Sequence, residues 1–262
     1  MTTYKDIGVD KGANFVGTIE IRRPPHNFFD MELIQQIATA MEEFDKDDGV
    51  RAVVLCAQGK SFCAGANFND PNRQEQPANV GGKPTNHLYQ EAVRLLRTKK
   101  PIVAAVHGAA IGGGLGVACA ADFRVTCPEA RFAANFTKLG FHPGFGLTVL
   151  LTELVGKNQA ELLFYTGRRI GGEEAVRIGL ASVCVPQDQV RAEANKLAQE
   201  IAESAPLAII STRKTMRGDL ADRVKAATDH ELKEQTWLRA TEDFKEGVKA
   251  TAERRVANWK GR

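Results

Sequence analysis

Several features that would assign this chain to a special class are missing from its sequence. No apolar run approaches the length of a membrane span, and the first ten residues lack the apolar segment of a signal peptide. The five cysteines are an odd number, and no two of them form a C-x-x-C pair. These absences disfavour a membrane protein, a disulfide framework and a metal site. We therefore expect buried free thiols in a cytoplasmic protein.

The charge of the chain is also modest. The formal net charge is +3 over 262 residues, which gives no support to nucleic-acid binding. Hydrophobic residues make up 43% and charged residues 26%, the balance of an ordinary globular protein. The length suits one large domain, or one domain with a smaller appendage. A local cluster of positive charge could still serve an anionic small ligand.

Strands and helices alternate along most of the chain. The alternating run Val16–Ile21 and the continuous apolar runs Ala52–Ala57 and Ile102–Val106 predict strands. Asp30 is placed to cap a helix whose apolar residues recur at helical spacing up to Phe44. A loop is predicted from Gly59 to Pro84. After Gln187 only helices are predicted, so we expect an α/β core over residues 1–200 and a C-terminal helical region over residues 201–262.

Two glycine-rich turns follow predicted buried strands. The first spans residues 59–67 (GKSFCAGAN), and the second spans residues 108–116 (GAAIGGGLG) and leads into a predicted helix. The first N–H groups of a helix are unpaired and carry partial positive charge, and glycine lets a ligand approach the backbone closely. The turns therefore suit an oxyanion hole or an anion cradle. The alternative is that the glycines only allow tight packing of helix on strand.

Two nucleotide-binding patterns fail at these turns. A G-x-G-x-x-G fingerprint starting at Gly112 would need glycine at position 117, which is Val117. A P-loop ending at Gly59-Lys60-Ser61 would need glycine at position 54, which is valine. The turns therefore do not predict a nucleotide site.

A series of motifs, in order along the chain, resembles the enoyl-CoA hydratase/isomerase, or crotonase, superfamily. They are FCAGAN (62–67) for F-x-A-G-x-D, PIVAAVHGAAIGGG (101–114) for P-x-I-A-A-x-x-G-x-x-x-G-G-G, ADFRV (121–125), TGRRIGGEEA (166–175), GLASV (179–183) and EDFKEG (242–247). The resemblance covers roughly residues 14 to 260. It implies a ββα spiral core with a C-terminal helical trimerisation region.

The resemblance also implies a substrate and its site. Coenzyme A thioesters are the expected substrates, with no separate cofactor, and the expected assembly is a homotrimer or hexamer. By the family pattern, the backbone N–H groups of Ala66 and Gly113 form the oxyanion hole. The residues expected to bind substrate around them are Ala64, Asn67, Phe68, Gly112, Asn135 and Phe136. Asn67 stands where the family motif has aspartate, so polarity is kept and charge is lost.

The chain departs from the family at the acid/base positions. Aligned through the motifs, the two catalytic glutamates of the hydratases fall on Gly116 and Phe136, and the aspartate of some isomerases falls on Gly144. None of these residues ionises. His142 is the candidate acid/base group, because a histidine changes charge near neutral pH. The alternative for His142 is a histidine packed in a turn.

Three functions remain open on the sequence. The first is an acyl-CoA enzyme that polarises a thioester in a backbone oxyanion hole without the usual glutamates. The second is an acyl-CoA-binding protein without catalysis. The third is a hydrolase of carbon–carbon bonds in diketones, on the same fold, in which histidines transfer the protons.

Overall fold

The computed structural model describes residues 3–68, 78–80, 83–85 and 87–262. Its strands are β1 (Ile7–Lys11), β2 (Val16–Ile21), β3 (Ala52–Ala57), β4 (Ser61–Cys63), β5 (Ala78–Val80), β6 (Lys83–Thr85), β7 (Ile102–Val106), β8 (Ala109–Ile111), β9 (Phe123–Thr126), β10 (Arg131–Ala133), β11 (Arg169–Ile170) and β12 (Val183–Cys184). Its α-helices are α1 (Met31–Asp45), α2 (His87–Arg97), α3 (Gly113–Ala120), α4 (Leu147–Val155), α5 (Lys157–Thr166), α6 (Gly172–Arg177), α7 (Val190–Ala202), α8 (Pro206–Arg217), α9 (Leu220–Leu238) and α10 (Glu242–Glu253).

A six-stranded sheet forms the centre, with the order β1-β2-β3-β7-β9-β12. All its pairs are parallel except β1 with β2. The strands predicted at Val16–Ile21, Ala52–Ala57 and Ile102–Val106 are confirmed with the same bounds. Strands β3 and β7 lie inside the sheet, and their continuous apolar sequences match strands buried on both faces.

The edge strand β1 was not predicted from the sequence. Only Ile7, Gly8 and Val9 are buried or half-buried in it, and Asp10 and Lys11 are exposed. A short edge strand of this kind carries too little hydrophobic pattern to be recognised.

A second sheet, with the order β11-β10-β8-β4, carries both glycine-rich turns. Strands β4 and β10 each pair in parallel with β8. Both turns therefore leave the same edge of this sheet, because the carboxyl ends of parallel strands meet there. The loop predicted from Gly59 to Pro84 needs correction, since Ser61–Cys63 forms β4; much of the rest of that segment lies outside the described residues.

Helix α1 begins as predicted. The Asp30 carboxylate accepts a hydrogen bond from the Leu33 backbone N–H at 2.9 Å, which caps the helix. Its buried face contains Leu33, Ile34, Ile37, Ala38, Ala40, Met41 and Phe44. Each large apolar side chain in that face contributes about 1.5–3 kcal/mol by leaving water. This burial fixes the helix against the sheet.

The C-terminal part of the described chain is helical after Gln187, as predicted. Helix α10 brings Phe244 against Phe68 and Phe141, with ring centroids 6.3 and 5.4 Å apart. The C-terminal region therefore reaches back to the glycine turn that follows β4. Among the described residues, no helix is both long enough and apolar enough to cross a bilayer.

The cysteines are free thiols, and all except Cys184 are buried. Burial raises the pKa of the Cys63 thiol to about 12, so this thiol next to the first glycine turn stays protonated near neutral pH. Over the described ranges, no group of three or more His, Cys, Asp or Glu residues could hold a metal ion.

Candidate active site

The first glycine turn is fixed by the backbone on both of its sides. The Ala64 N–H donates to the His26 carbonyl at 3.0 Å, and the Phe29 N–H donates to the Gly65 carbonyl at 3.0 Å. Gly65 has a φ of +84°, and a Cβ there would lie 2.7 Å from the Ile111 carbonyl oxygen. Only glycine meets both conditions without strain.

Asn27 holds the preceding segment in place. Its side chain is fully buried and donates to the carbonyls of Gln58 at 2.6 Å and Ser61 at 2.7 Å. Its Oδ1 accepts from the Arg23 N–H at 2.9 Å. A buried amide with its donors and acceptor satisfied orders the loop beside the site.

The second glycine turn leads directly into α3. The Gly112 N–H donates to the Ala133 carbonyl at 2.8 Å, and Gly113 is the first residue of the helix. A Cβ on Gly114 would lie 2.1 Å from the Cys63 carbonyl oxygen. The start of α3 therefore packs directly on the end of β4, which brings the two glycine turns into contact.

The backbone N–H groups of Ala66 and Gly113 have no hydrogen-bond acceptor within the described parts of the chain. Both residues line one cavity of about 510 Å³. Buried backbone donors are nearly always paired, so two unpaired donors at one cavity suit a ligand oxygen. The Gly113 donor also lies at the positive end of the α3 dipole.

The cavity brings together every predicted site residue except His142. Ala64, Ala66, Asn67, Phe68, Gly112, Gly113, Asn135 and Phe136 all line it. Aromatic rings cover much of its wall, namely those of Phe28, Phe29, Phe68, Tyr89, Phe136, Phe141 and Phe145. Such a wall excludes water and accommodates an apolar group.

His142 lies elsewhere. It lines a neighbouring cavity with Thr148, Thr152 and Phe164, and its ring stands 5.9 Å from that of His230. Its Nδ1 is 2.8 Å from the carbonyl oxygen of Pro143. The structure thus matches the alternative considered for this residue, a histidine packed in a turn, because Phe141 and Phe145 face the site and His142 does not.

Gly116, Phe136 and Gly144, the three positions that the family resemblance aligned with acid/base residues, all lie against aromatic side chains. A Cβ on Gly116 would lie 2.5 Å from the Phe145 ring. Phe136 itself forms part of the wall, 5.5 Å from the ring of Phe141. A Cβ on Gly144 would lie 2.1 Å from the Tyr89 hydroxyl. No described residue that lines the cavity is Asp or Glu.

A polar cluster in the cavity wall was missed from the sequence. The Tyr89 hydroxyl donates to Oε1 of Gln235 at 2.9 Å, and Arg239 also lines the cavity. Burial raises the pKa of Tyr89, so its hydroxyl stays protonated. Tyr89 and Gln235 are separated by 146 residues, and no local sequence signal links positions so far apart.

Glu231, one turn before Gln235 on α9, is a buried carboxylate with a structural role. It accepts hydrogen bonds from the N–H of Gly146 at 2.8 Å and the hydroxyl of Thr148 at 2.6 Å. These contacts cap the start of α4. Burial raises its pKa, and Glu231 is not among the residues that line the cavity.

Positive charge lies at the exposed side of the cavity. Arg131 and Arg169 line it and are solvent-exposed. The cavity thus combines an exposed cationic side, an aromatic interior and two unpaired backbone donors. An acyl thioester with an anionic carrier presents the matching features.

Comparison with known proteins agrees with this geometry. A model of the family described as Enoyl-CoA hydratase/isomerase matches residues 11–262. The short-chain-enoyl-CoA hydratase of Clostridium acetobutylicum is 31% identical over 243 residues, covering 92% of this chain and 92% of that protein. The crotonyl-CoA hydratase of Syntrophomonas wolfei is 31% identical over 259 residues, covering 98% of each chain.

A solved structure gives the same result for the fold. The crystal structure of an enoyl-CoA hydratase/isomerase from Pseudoalteromonas atlantica superposes with a TM-score of 0.86 at 31% identity, covering 98% of this chain and 100% of that one. The predicted crotonase fold, an α/β core with a C-terminal helical region, is confirmed. The chain therefore belongs to the enoyl-CoA hydratase/isomerase family of the crotonase superfamily, and it is an acyl-CoA enzyme of that family.

Proposed function

We propose that the chain binds an acyl-CoA with the thioester carbonyl oxygen between the N–H groups of Ala66 and Gly113. The observation that carries this proposal is the pair of backbone donors, without an acceptor among the described residues, on two glycine turns that meet at one cavity. Both donors are held by the fold before substrate arrives. An oxyanion hole acts in this way, because its donors need no reorganisation when charge develops.

Negative charge that develops on the thioester oxygen is the species this site stabilises. Two fixed N–H groups in an aromatic cavity act at low dielectric, where hydrogen bonds to an anion are strong. Loss of one such donor costs roughly 10²–10³ in turnover in other enzymes. An enolate formed at the α-carbon of the acyl group would be stabilised by the same two contacts.

The proton chemistry that follows differs from hydration assisted by two glutamates. Gly116 and Phe136 occupy those positions, and Phe145 covers Gly116. We therefore propose a reaction of the thioester that requires no side-chain carboxylate. The diketone hydrolase alternative is weakened, because His26 is the one histidine among the described residues that line the cavity.

The cationic side of the cavity suits the phosphates of coenzyme A. Arg131 and Arg169 are exposed there, so neither pays for burial of its charge while it waits for a ligand. No further cofactor is part of the proposal. The free thiols fit a reducing compartment such as the cytoplasm.

We also propose that the chain assembles as a homotrimer or hexamer. Large apolar side chains are exposed on its helices and C-terminal segment, namely Tyr165, Leu207, Met216, Trp237 and Trp259. Leu207 and Met216 are each 81% exposed, which is costly for a monomer. Sedimentation equilibrium should give a mass of three or six times 28.5 kDa. A mass of 28.5 kDa at micromolar concentration would contradict this part of the proposal.

Two measurements on the purified protein test the proposed activity. Calorimetric titration with butyryl-CoA should show binding in the range of ordinary enzyme substrates, about 1 µM to 1 mM. Hydration of crotonyl-CoA should be far slower than the roughly 10 s⁻¹ of a typical enzyme, because no described residue that lines the cavity has a carboxylate to activate water. Absence of any acyl-CoA binding would refute the thioester site. Fast hydration would refute the carboxylate-free chemistry.

A further inference from the structure

The wall of the cavity formed by α2 and α9 carries a positive charge that has no acidic partner among the described residues. Arg239 follows the last residue of α9 and lines the cavity. Its guanidinium makes one side-chain hydrogen bond, from Nη2 to Oε1 of Gln235 at 3.2 Å. No described Asp or Glu is paired with it, and its Nε is buried without an acceptor among the described residues.

The surroundings of Arg239 are largely aromatic. Its Cζ lies 5.4 Å from the centroid of the Phe141 ring, and Phe141 is 5% exposed. Phe141 in turn packs on Phe136. The Phe136 ring lies close to Gly112, since a Cβ added at Gly112 would be 3.8 Å from it. The rings of Phe141 and Phe136, which both line the cavity, therefore form its wall between the guanidinium and the glycine turn that carries the Gly113 donor.

The neighbouring polar groups position Arg239 but cannot satisfy it. Gln235 uses its amide N–H groups on the carbonyls of His142 at 3.0 Å and Pro143 at 3.2 Å. Its Oε1 accepts from both Tyr89 and Arg239. A buried guanidinium donor with no acceptor is costly, and a planar carboxylate is the acceptor that matches it in charge and geometry.

We propose that the acyl group of the substrate carries a carboxylate, which binds Arg239. The substrate class is then the CoA thioester of a dicarboxylic acid, with one end at the oxyanion donors and the other at the guanidinium. This inference rests on the proposed function, because it uses the same cavity. It adds the chemical nature of the acyl group.

Binding of paired ligands tests the inference. The wild-type protein is titrated with free CoA and with matched thioester pairs of four, six and eight acyl carbons. Each pair consists of a dicarboxylyl-CoA and the corresponding monocarboxylyl-CoA, such as succinyl-CoA and butyryl-CoA. In at least one pair we expect the dicarboxylyl-CoA to bind about tenfold or more tightly, as a charge-assisted hydrogen bond would give. Arg239→Met should remove this preference, while Arg239→Lys should retain part of it.

A matched control is Arg51→Met, since Arg51 also lies over a phenylalanine ring, with its Cζ 3.8 Å from the Phe15 centroid, but does not line the cavity. Arg51→Met should keep the full preference for the dicarboxylyl-CoA. The inference is refuted if the wild-type protein shows no preference for a dicarboxylyl-CoA, or if Arg239→Met keeps that preference. It is also refuted if Arg239→Met weakens the binding of free CoA as much as the binding of the dicarboxylyl-CoA. Failure of all the CoA ligands to bind wild type would instead refute the proposed function. Absence of the preference in the wild-type protein refutes the inference even if a variant does not fold.

Discussion

At the scale of single residues, the contact between Gly116 and Phe145 determines which chemistry the cavity allows. The Phe145 ring is 2% exposed and occupies the space into which a side chain at position 116 would extend. Phe29 packs edge-on against it, with ring centroids 5.7 Å apart. Aromatic packing thus leaves no room for a longer side chain at position 116, and in the proposed function the two backbone donors are the polarising groups.

Gly116→Ala is expected to destabilise the protein. The new Cβ would lie 2.5 Å from a ring that is packed on all sides, and overpacking of this kind costs roughly 1–3 kcal/mol. The helix propensity of alanine offsets less than about 1 kcal/mol of that loss. Urea unfolding measures the difference. Gly171→Ala is the comparison variant, because its Cβ would meet the Pro128 carbonyl oxygen at 3.3 Å, a much milder contact that should cost less stability. Equal stability of the two variants would contradict the packing described.

His142→Gln should leave acyl-CoA binding and turnover within about twofold of wild type. The side chain lies in the neighbouring cavity, so its removal changes nothing that the substrate contacts. The backbone carbonyl of residue 142 still accepts from Gln235, which keeps the turn in place. The Kd for butyryl-CoA and kcat/KM for any thioester that is turned over measure the effect. A loss of tenfold or more would restore His142 as an acid/base candidate.

At the scale of elements, local sequence predicted the parts whose pattern is complete within a few consecutive residues. Strands β2, β3 and β7 and the Asp30 cap of α1 follow from a few consecutive residues each. The two glycine turns were predicted as donors because each one follows a buried strand. Arg239 and Gln235 could not be predicted, since α9 reaches the cavity only by tertiary packing. The sequence near Phe141 also cannot say which side chains of that turn face the cavity. The structure places His142 in the neighbouring cavity, and its acid/base role stays a prediction.

The Asp6 carboxylate connects the segment before β1 with the segment after β2 and with α1. Its contribution to the stability of the fold should depend on pH. It accepts hydrogen bonds from Arg23 after β2 at 2.7 Å and from Gln36 on α1 at 2.9 Å. The hydrogen bond from Arg23 holds the pKa of Asp6 below its ordinary value of 3.8. A lowered pKa means that the ionised form stabilises the fold above pH 3.8 and that this contribution is lost as pH falls through the folded-state pKa.

Asp6→Asn should therefore lower the free energy of unfolding by roughly 1–3 kcal/mol at pH 7. The difference from wild type should shrink below pH 3.8 and vanish once Asp6 is protonated in both states. Urea unfolding at a series of pH values measures it. Asp10→Asn, at an exposed position on β1, serves as the control and should show little difference. A difference that stays constant down to the lowest pH would contradict the assigned role of the charge.

At the scale of the whole molecule, a buried ion cluster joins the C-terminal helices to the central sheet. The Asp122 carboxylate accepts from Nε of Arg213 at 2.9 Å and from Nε of Arg217 at 3.0 Å, both on α8. It also accepts from the Ile102 N–H at 2.8 Å, at the start of β7. One largely buried carboxylate thus pairs with two arginines and fixes α8, from which the chain continues to α9 and Arg239.

Asp122→Ala should lower the free energy of unfolding by about 3–5 kcal/mol, because it leaves two buried guanidinium groups without a counter-charge. Chemical denaturation measures this loss. Asp222→Ala is the comparison, because the Asp222 side chain is 75% exposed and pairs with Arg97 at the surface. It should lower the free energy of unfolding by less than about 1 kcal/mol. Similar losses in the two variants would show that the buried cluster does not hold the C-terminal helices to the core.

The central claim is that backbone, and not side-chain acid, polarises the thioester. A crystal structure of the protein with bound butyryl-CoA tests it most directly. The account predicts the thioester oxygen within about 2.7–3.1 Å of the backbone nitrogen atoms of both Ala66 and Gly113, with the acyl chain among the aromatic rings. A thioester oxygen bound by any other pair of groups, or an acyl-CoA bound outside this cavity, would contradict it.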